Sequence, residues 1–115
     1  MHHYLVELYS PNAVWNALAI EERKQYLSNV AAGMGSLSSI GVEVLTLTET
    51  IPELDQVSPH QFLGIWRFPN QQAREALLEG IKASGWYQYF DHINAAGIEA
   101  DLHQHLDALV HTATI

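Results

Sequence analysis

Two polar residues, His92 and Asn94, end an unusually aromatic run that spans residues 85–94. They are two positions apart, so in a β-strand both side chains would point to the same face. A histidine can exchange protons near neutral pH, and an asparagine can stabilise an oxyanion. The pair could therefore enolise or oxygenate a small carbonyl or phenolic substrate. The alternative is a histidine satisfied at a strand start beside an asparagine that makes local turn bonds.

A second candidate pair is Glu7 and Arg67, which lie in segments with the composition of β-strands. If these segments are antiparallel neighbours, the carboxylate and the guanidinium could meet across them. The arginine would then hold an anionic group of a substrate, and the carboxylate would act as a base whose pKa is set by burial. A structural ion pair at the rim of the sheet is the alternative.

Aromatic side chains with polar tips suit the wall of a pocket, because they can be buried and still orient a ligand. Five such residues flank the candidate pairs, although they could instead close the end of a small core. The predicted substrate-binding residues are Tyr9, Trp66, Trp86, Tyr87 and Tyr89.

Neither a metal site nor a cofactor is predicted. The chain has no cysteine. His103 and His105 are two apart on a predicted helix and do not face each other, and His111 is more than two turns from His103. The sequence contains no phosphate-binding loop, nucleophile elbow or dinucleotide fingerprint.

Length and charge limit the class of protein. A chain of 115 residues predicts one domain over residues 1–115. Its 13 acidic and 5 basic residues give a formal charge of −8, which disfavours nucleic acid and anionic membrane surfaces as partners. The N-terminal segment lacks the features of a signal peptide, and no stretch approaches a membrane span. These features predict a cytoplasmic protein.

The hydrophobic pattern predicts the element order β-α-β-β-α-β with a short C-terminal helix. The predicted strands are residues 4–9, 42–50, 61–68 and 92–98. The first long helix follows Ser10 and Pro11 with a break near Ala19, and Asn70 caps the second. This order is typical of the ferredoxin-like α+β fold, a four-stranded antiparallel sheet with both long helices on one face.

Both faces of the predicted strands are largely apolar. The set with Trp66 and Phe68 is bulky and uncharged and is assigned to the helix layer. The set with Glu7, Tyr9 and Arg67 is then assigned to the opposite face, although the reverse assignment is also open. That face is predicted to pack on a second copy of the chain, because it would otherwise leave a large apolar patch in water. The residues predicted to lie in this patch are Leu5, Leu45, Leu47, Leu63 and Ile65; a sheet open on one side is the alternative.

The element order, the chain length and the two-sided strands resemble the dimeric α/β-barrel superfamily, in which two ferredoxin-like subunits close their sheets into a barrel. Residues 4–9 (YLVELY), 66–69 (WRFP) and 84–90 (SGWYQYF) resemble a bacterial branch of unknown function. Characterised members of the superfamily include cofactor-free monooxygenases, lactone isomerases, small dehydratases and haem-dependent enzymes. None of their catalytic motifs is matched residue by residue here.

The sequence therefore predicts a homodimer with a small apolar pocket in each subunit, which binds or transforms a small organic molecule. As an enzyme it would catalyse cofactor-independent oxygenation, isomerisation or dehydration. A non-catalytic carrier or sensor would keep the pocket without the proton transfer. An assembly module, the remaining alternative, would have no cavity.

Overall fold

The strands form one antiparallel sheet in the order β2-β3-β1-β4. The computed structural model describes residues 1–113, so the last two positions of the predicted domain lie outside the described residues. The sheet and its helices confirm the predicted α+β, ferredoxin-like fold. The strands are β1 (His3–Pro11), β2 (Glu43–Glu49), β3 (Phe62–Phe68) and β4 (Phe90–Ile98), and the helices are α1 (Ala13–Asn16), α2 (Ile20–Met34), α3 (Gln71–Ala83), α4 (Trp86–Tyr89) and α5 (Leu102–Val110).

Side-chain caps set where the helices begin. The side chain of Asn12 accepts a hydrogen bond from the backbone N–H of Trp15 at 3.1 Å, and Asn70 caps α3 in the same way. The predicted break near Ala19 separates α1 from α2. No helix within residues 1–113 has the length and apolar character needed to cross a lipid bilayer.

The strand register decides which residues share a face. Leu5 lies opposite Trp66, and Glu7 lies opposite Gly64. Directly opposed residues of antiparallel strands share a face, so Glu7 is on the same side as Trp66. That side packs under α3, where a core forms around Phe68. The buried members of this core are Leu5, Val42, Trp66, Phe68, Ala73 and Leu77.

The assignment of Glu7 and Tyr9 to the face away from the helices is therefore wrong. Alternation within a strand shows which of its side chains share a face. It does not show which side chains of the neighbouring strand lie on that same face. Leu5 and Leu47 also belong to the helix side, since Leu5 is buried in the core and Leu47 lies opposite Gly64. The outward face instead carries Tyr4, Val6 and Leu8 of β1 beside Leu63, Ile65 and Arg67 of β3.

The aromatic run forms α4 and the start of β4, and it packs on the end of α1. Trp15 is buried and its ring lies 4.9 Å from that of Phe90 and 5.5 Å from that of Tyr89. The Asn12 side chain also donates to the carbonyl of Gln88 at 2.9 Å. These contacts hold the start of β4 against the end of β1, where the polar residues of the sheet lie.

Candidate functional site

A cavity of about 590 Å³ lies between the helices and the inner face of the sheet. None of the residues of α2 is buried, so this helix lies over the sheet without filling the space beneath it. The walls are mainly apolar. Most of the lining side chains come from α2, α3 and the sheet, and they include Tyr26, Leu27, Val30, Met34, Leu37, Leu47, Leu77, Ile81 and Trp86.

Glu7 lines this cavity from the centre of the sheet and is only 4% exposed. Burying a carboxylate is costly unless it is hydrogen-bonded. The indole N–H of Trp66 donates to Glu7 Oε1, and His92 Nε2 lies 3.2 Å from Glu7 Oε2. Each oxygen thus has one N–H partner, and each keeps a further lone pair that can face a ligand.

Gly64 makes room for this arrangement. A Cβ atom at position 64 would lie 2.9 Å from Glu7 Oε1 and 3.3 Å from Trp66 Nε1. Any side chain here would therefore push the carboxylate and the indole apart. We did not predict this role from the sequence, although a glycine inside an otherwise bulky strand is the signal for a close approach.

His92 lies behind Glu7, with a side chain that is 1% exposed. Its Nδ1 accepts a 3.0 Å hydrogen bond from the indole N–H of Trp86. An indole N–H can only donate, so this bond assigns the proton of a neutral His92 to Nε2. Nε2 in turn faces Glu7 Oε2 and lies 2.7 Å from Asn94 Oδ1. His92 is therefore a hydrogen-bond donor to Glu7 and Asn94.

Opposing effects act on the protonation of His92. Burial lowers its pKa, but hydrogen bonds to Glu7 and Asn94 and the charge of Glu7 outweigh burial, so the pKa lies above the usual 6.5. A proton on Nδ1 would remove the lone pair that accepts from Trp86. Protonation of His92 is thus coupled to loss of the bond from Trp86.

Tyr9 lines the same cavity. Its ring is stacked between the rings of Phe62 and His92, with centroid distances of 5.6 and 5.5 Å. Burial, followed by the charge of Glu7, raises the pKa of Tyr9 above 10.0. The hydroxyl therefore keeps its proton at neutral pH and can donate it in a hydrogen bond to a ligand.

The structure brings together some of the predicted site residues and separates others. His92 and Asn94 share a face as expected and lie beside Glu7, but neither lines the cavity. The predicted pairing of Glu7 with Arg67 is wrong, because the two side chains lie on opposite faces and Arg67 binds Glu43 at 2.5 Å. The cavity is on the helix side of the sheet and not on the outward face where a barrel interior would form.

The predicted substrate-binding residues are divided in the same way. Tyr9, Trp66 and Trp86 line the cavity. Tyr87 lies edge-on to His92 and is exposed, and Tyr89 packs against Trp15, so these two are absent from the cavity wall.

The lining does not fit haem, the prosthetic group of some members of the superfamily. Haem propionates need cationic or strong donor partners, and its iron needs an axial ligand, often histidine. Among the described residues that line the cavity there is no histidine, lysine or arginine, and the one charged group is the carboxylate of Glu7. Within residues 1–113 no group of three or more potential metal ligands comes together.

Solved structures with the same fold include chlorite dismutases from Candidatus Nitrospira defluvii. A mutant with an arginine replaced by glutamate has a TM-score of 0.70 at 15% identity, over 92% of this chain and 44% of that one. A complex with imidazole has a TM-score of 0.66 at 15% identity, over 92% and 43%. A mutant with a tryptophan replaced by valine has a TM-score of 0.69 at 10% identity, over 87% and 40%.

This chain spans less than half the length of those proteins, and the likeness at such identities shows the fold alone. No curated protein sequence matches it. A family model described as a family of unknown function matches residues 2–112, which is nearly the whole chain. The chain therefore belongs to this family, DUF6616.

Proposed function

We propose that this protein binds a small, uncharged organic molecule in the cavity and transfers a proton on it, with Glu7 as the base. The single observation that carries the proposal is a buried carboxylate held by two N–H groups at the wall of an apolar cavity of about 590 Å³. A cavity of this size also argues against an assembly module whose interior is filled by side chains.

The reaction that suits these groups is proton abstraction next to a carbonyl group. Glu7 would take the proton from carbon, and the electron pair of that C–H bond would move to the carbonyl oxygen as the enolate forms. The Tyr9 hydroxyl would donate a hydrogen bond to the enolate oxygen. Return of the proton from Glu7 to the same carbon would regenerate the ketone, and in a β,γ-unsaturated ketone, whose enolate extends to the γ carbon, return to that carbon would give the conjugated isomer with all atoms and electrons conserved. No oxidant or metal is required.

In this proposal His92 and Asn94 are positioning residues. The Nε2–H of His92 orients Glu7 Oε2, and Asn94 Oδ1 holds the imidazole ring. This differs from the sequence-based hypothesis, in which His92 exchanged the proton itself. The difference follows from the bond from Trp86 to Nδ1, which removes the free basic nitrogen that a histidine base needs.

The charge in the cavity disfavours an anionic ligand, and its mainly apolar wall favours an uncharged ligand over a charged one. No cationic side chain among the described residues lines it, so an anion would face Glu7 without compensation. The formal charge of −8 adds to this repulsion. We therefore do not propose chlorite, the anion in the names of the structural neighbours, as a ligand of this protein.

The experiment is hydrogen exchange on a panel of small cyclic and aromatic ketones. NMR in deuterated buffer would follow incorporation of deuterium next to the carbonyl, and quenching of tryptophan fluorescence would report binding. We expect Glu7→Gln to slow the exchange by about 10²- to 10⁴-fold, the usual contribution of a general base. Tyr9→Phe should also slow it. The matched control is Glu43→Gln, which removes a carboxylate from the outward face.

A carrier or sensor without catalysis is the second candidate function. It is favoured because each oxygen of Glu7 already has one N–H partner, which suits a carboxylate that fixes a ligand through its remaining lone pairs. Binding without exchange would support this candidate. Exchange that is equally fast in wild type and Glu7→Gln would show that Glu7 is not the base.

We also propose that the protein is a homodimer formed through the outward face of the sheet. Val6, Leu8, Leu63 and Ile65 share this face and are partly exposed, whereas α3 packs on the opposite face of the sheet. Two copies that turn these faces toward each other would remove this surface from water.

A further inference from the structure

We infer that α5 packs against a second copy of this chain. None of its nine residues is buried. Four apolar side chains follow one face of the helix at positions i, i+4, i+7 and i+8, and each is more than half exposed. These residues are Leu102, Leu106, Leu109 and Val110. The inference rests on the proposed homodimer and is independent of the proposed chemistry.

The helix is well specified at its start despite this exposure. Asp101 Oδ1 accepts from the backbone N–H of Gln104 at 2.8 Å, and Gln104 Oε1 accepts from the backbone N–H of Asp101 at 3.0 Å. Yet a helix of nine residues is only marginally stable in water unless its apolar face is packed. Within residues 1–113, no surface buries the apolar face of this helix.

The apolar face of α5 continues into the outward face of the sheet. A groove of about 460 Å³ runs between the start of α5 and the edge of the sheet, with Leu102 and His105 on one side and Tyr4 on the other. Tyr4 belongs to the outward face, because it lies opposite Arg67. A partner that covers the sheet would therefore also reach α5.

The exposed area fits a second copy of the chain. The accessible surface is 8112 Å², whereas a compact protein of 12.9 kDa exposes about 6,300 Å². The radius of gyration is 16.4 Å, compared with about 13 Å for a compact domain of this length. If two copies each buried the excess, the total would be about 3,600 Å², which lies within the range of obligate homodimers.

Charge also permits self-association here. The whole chain carries −8, so two copies repel one another through most of their surfaces. On the outward face, however, Arg67 is paired with Glu43, and the apolar face of α5 carries no charge. In a two-fold arrangement, α5 of each copy would pack beside the outward sheet face of its partner.

Photo-crosslinking of a mixture of ¹⁵N-labelled and unlabelled protein tests this arrangement. A photoreactive amino acid in place of Leu106 is introduced into the full chain, and ¹⁵N-labelled and unlabelled protein are mixed, unfolded and refolded together. We expect cross-linked peptides that join one labelled and one unlabelled segment. Cross-links only between segments with the same label would show that α5 packs on its own chain, which would overturn the inference.

Sedimentation of charge variants gives an independent measurement. Leu106→Glu should raise the dimer dissociation constant about tenfold or more, as expected for a buried apolar contact. Ala108→Glu places the same charge on the opposite side of α5 and should change the constant less than twofold. If the two variants have the same dimer dissociation constant, α5 is not at the interface and the inference is wrong, while the sheet-face dimer stands without it. If the wild type is a monomer, both the dimer and this role of α5 are wrong.

Discussion

The position of the Glu7 carboxylate depends on three neighbouring residues. Trp66 and His92 supply one N–H group for each carboxylate oxygen, and Gly64 leaves the space in which they meet. The cost of burying Glu7 is therefore offset only when all of these contacts are made. Such an arrangement is sensitive to small changes of volume as well as to changes of charge.

We expect Gly64→Ala to destabilise the fold by about 1–3 kcal/mol, the usual cost of inserting a methyl group into a packed site. The new Cβ would lie 2.9 Å from both Glu7 Oε1 and Leu47 Cδ2. Urea unfolding followed by tryptophan fluorescence measures the change. Gly97→Ala is the control, because a Cβ at that strand position meets nothing within 4 Å. Equal stabilities of the two variants would contradict this explanation of Gly64.

His92 should make stability depend on pH in a defined direction. Its folded pKa lies above 6.5, so the folded state binds the proton more tightly than the unfolded state does. The stabilisation from this proton is complete below about pH 6.5 and is lost as the pH rises through the higher folded pKa. The difference in unfolding free energy between wild type and His92→Gln should therefore shrink between pH 6 and pH 9.

At the scale of elements, α4 connects the aromatic cluster to the polar site. Trp86 stacks on Phe90 at 4.1 Å, meets the edge of Tyr9 at 5.3 Å and donates to His92. The aromatic run anchors the turn into β4. Phe90 is buried there, whereas Trp86 and Tyr89 are partly buried. The helix α4 therefore packs against the aromatic cluster and also orients the imidazole ring of His92.

Substitution of Trp86 should separate these two roles. Trp86→Ala removes a large ring and should destabilise the fold by about 3 kcal/mol, at the lower end of the range for core aromatics because the ring is only partly buried. Trp86→Phe keeps a ring but removes the N–H that requires a neutral Nδ1, so the pKa of His92 should rise further. NMR titration of the histidine Cε1 protons measures that pKa. Trp15→Phe is the control. If the pKa of His92 is the same in Trp86→Phe as in this control, the proposed coupling is wrong.

At the scale of the whole molecule, the sheet has one covered and one uncovered face. The helices α2 and α3 lie over the inner face and enclose the cavity, while the outward face is apolar along β1 and β3. Each 100 Å² of apolar surface removed from water contributes about 2.5 kcal/mol before the cost of association. The cavity and the proposed interface are therefore separate surfaces on opposite sides of one sheet.

We expect a dimer mass in sedimentation at low micromolar concentration. Ile65→Glu on the outward face should shift the protein toward the monomer, because it would bury an unpaired charge in the interface. The control is Ala32→Glu, which adds the same charge to an exposed position of α2 away from the cavity lining. If the wild-type protein is a monomer, the proposed homodimer is wrong. That result would not affect the proposed chemistry in the cavity.

The sequence by itself determined the order and type of the four strands and of the longer helices, but not the four-residue helix α4. Periodic apolar residues and the cap at Asn70 are local signals, so each could be interpreted without knowing the rest of the fold. The common face of His92 and Asn94 follows from the same local alternation. Glu7 was also identified as a candidate base, from its residue type and its place in a predicted strand.

Only the tertiary structure decided which side chains meet. The pairing of strands set Glu7 beside Gly64 and away from Arg67, because the register between strands is not encoded in the alternation of either strand alone. The cavity arises from how α2 lies over the sheet, and the role of Gly64 arises from an indole and a carboxylate approaching from two strands. These are contacts between residues far apart in the chain, so no local pattern could determine them.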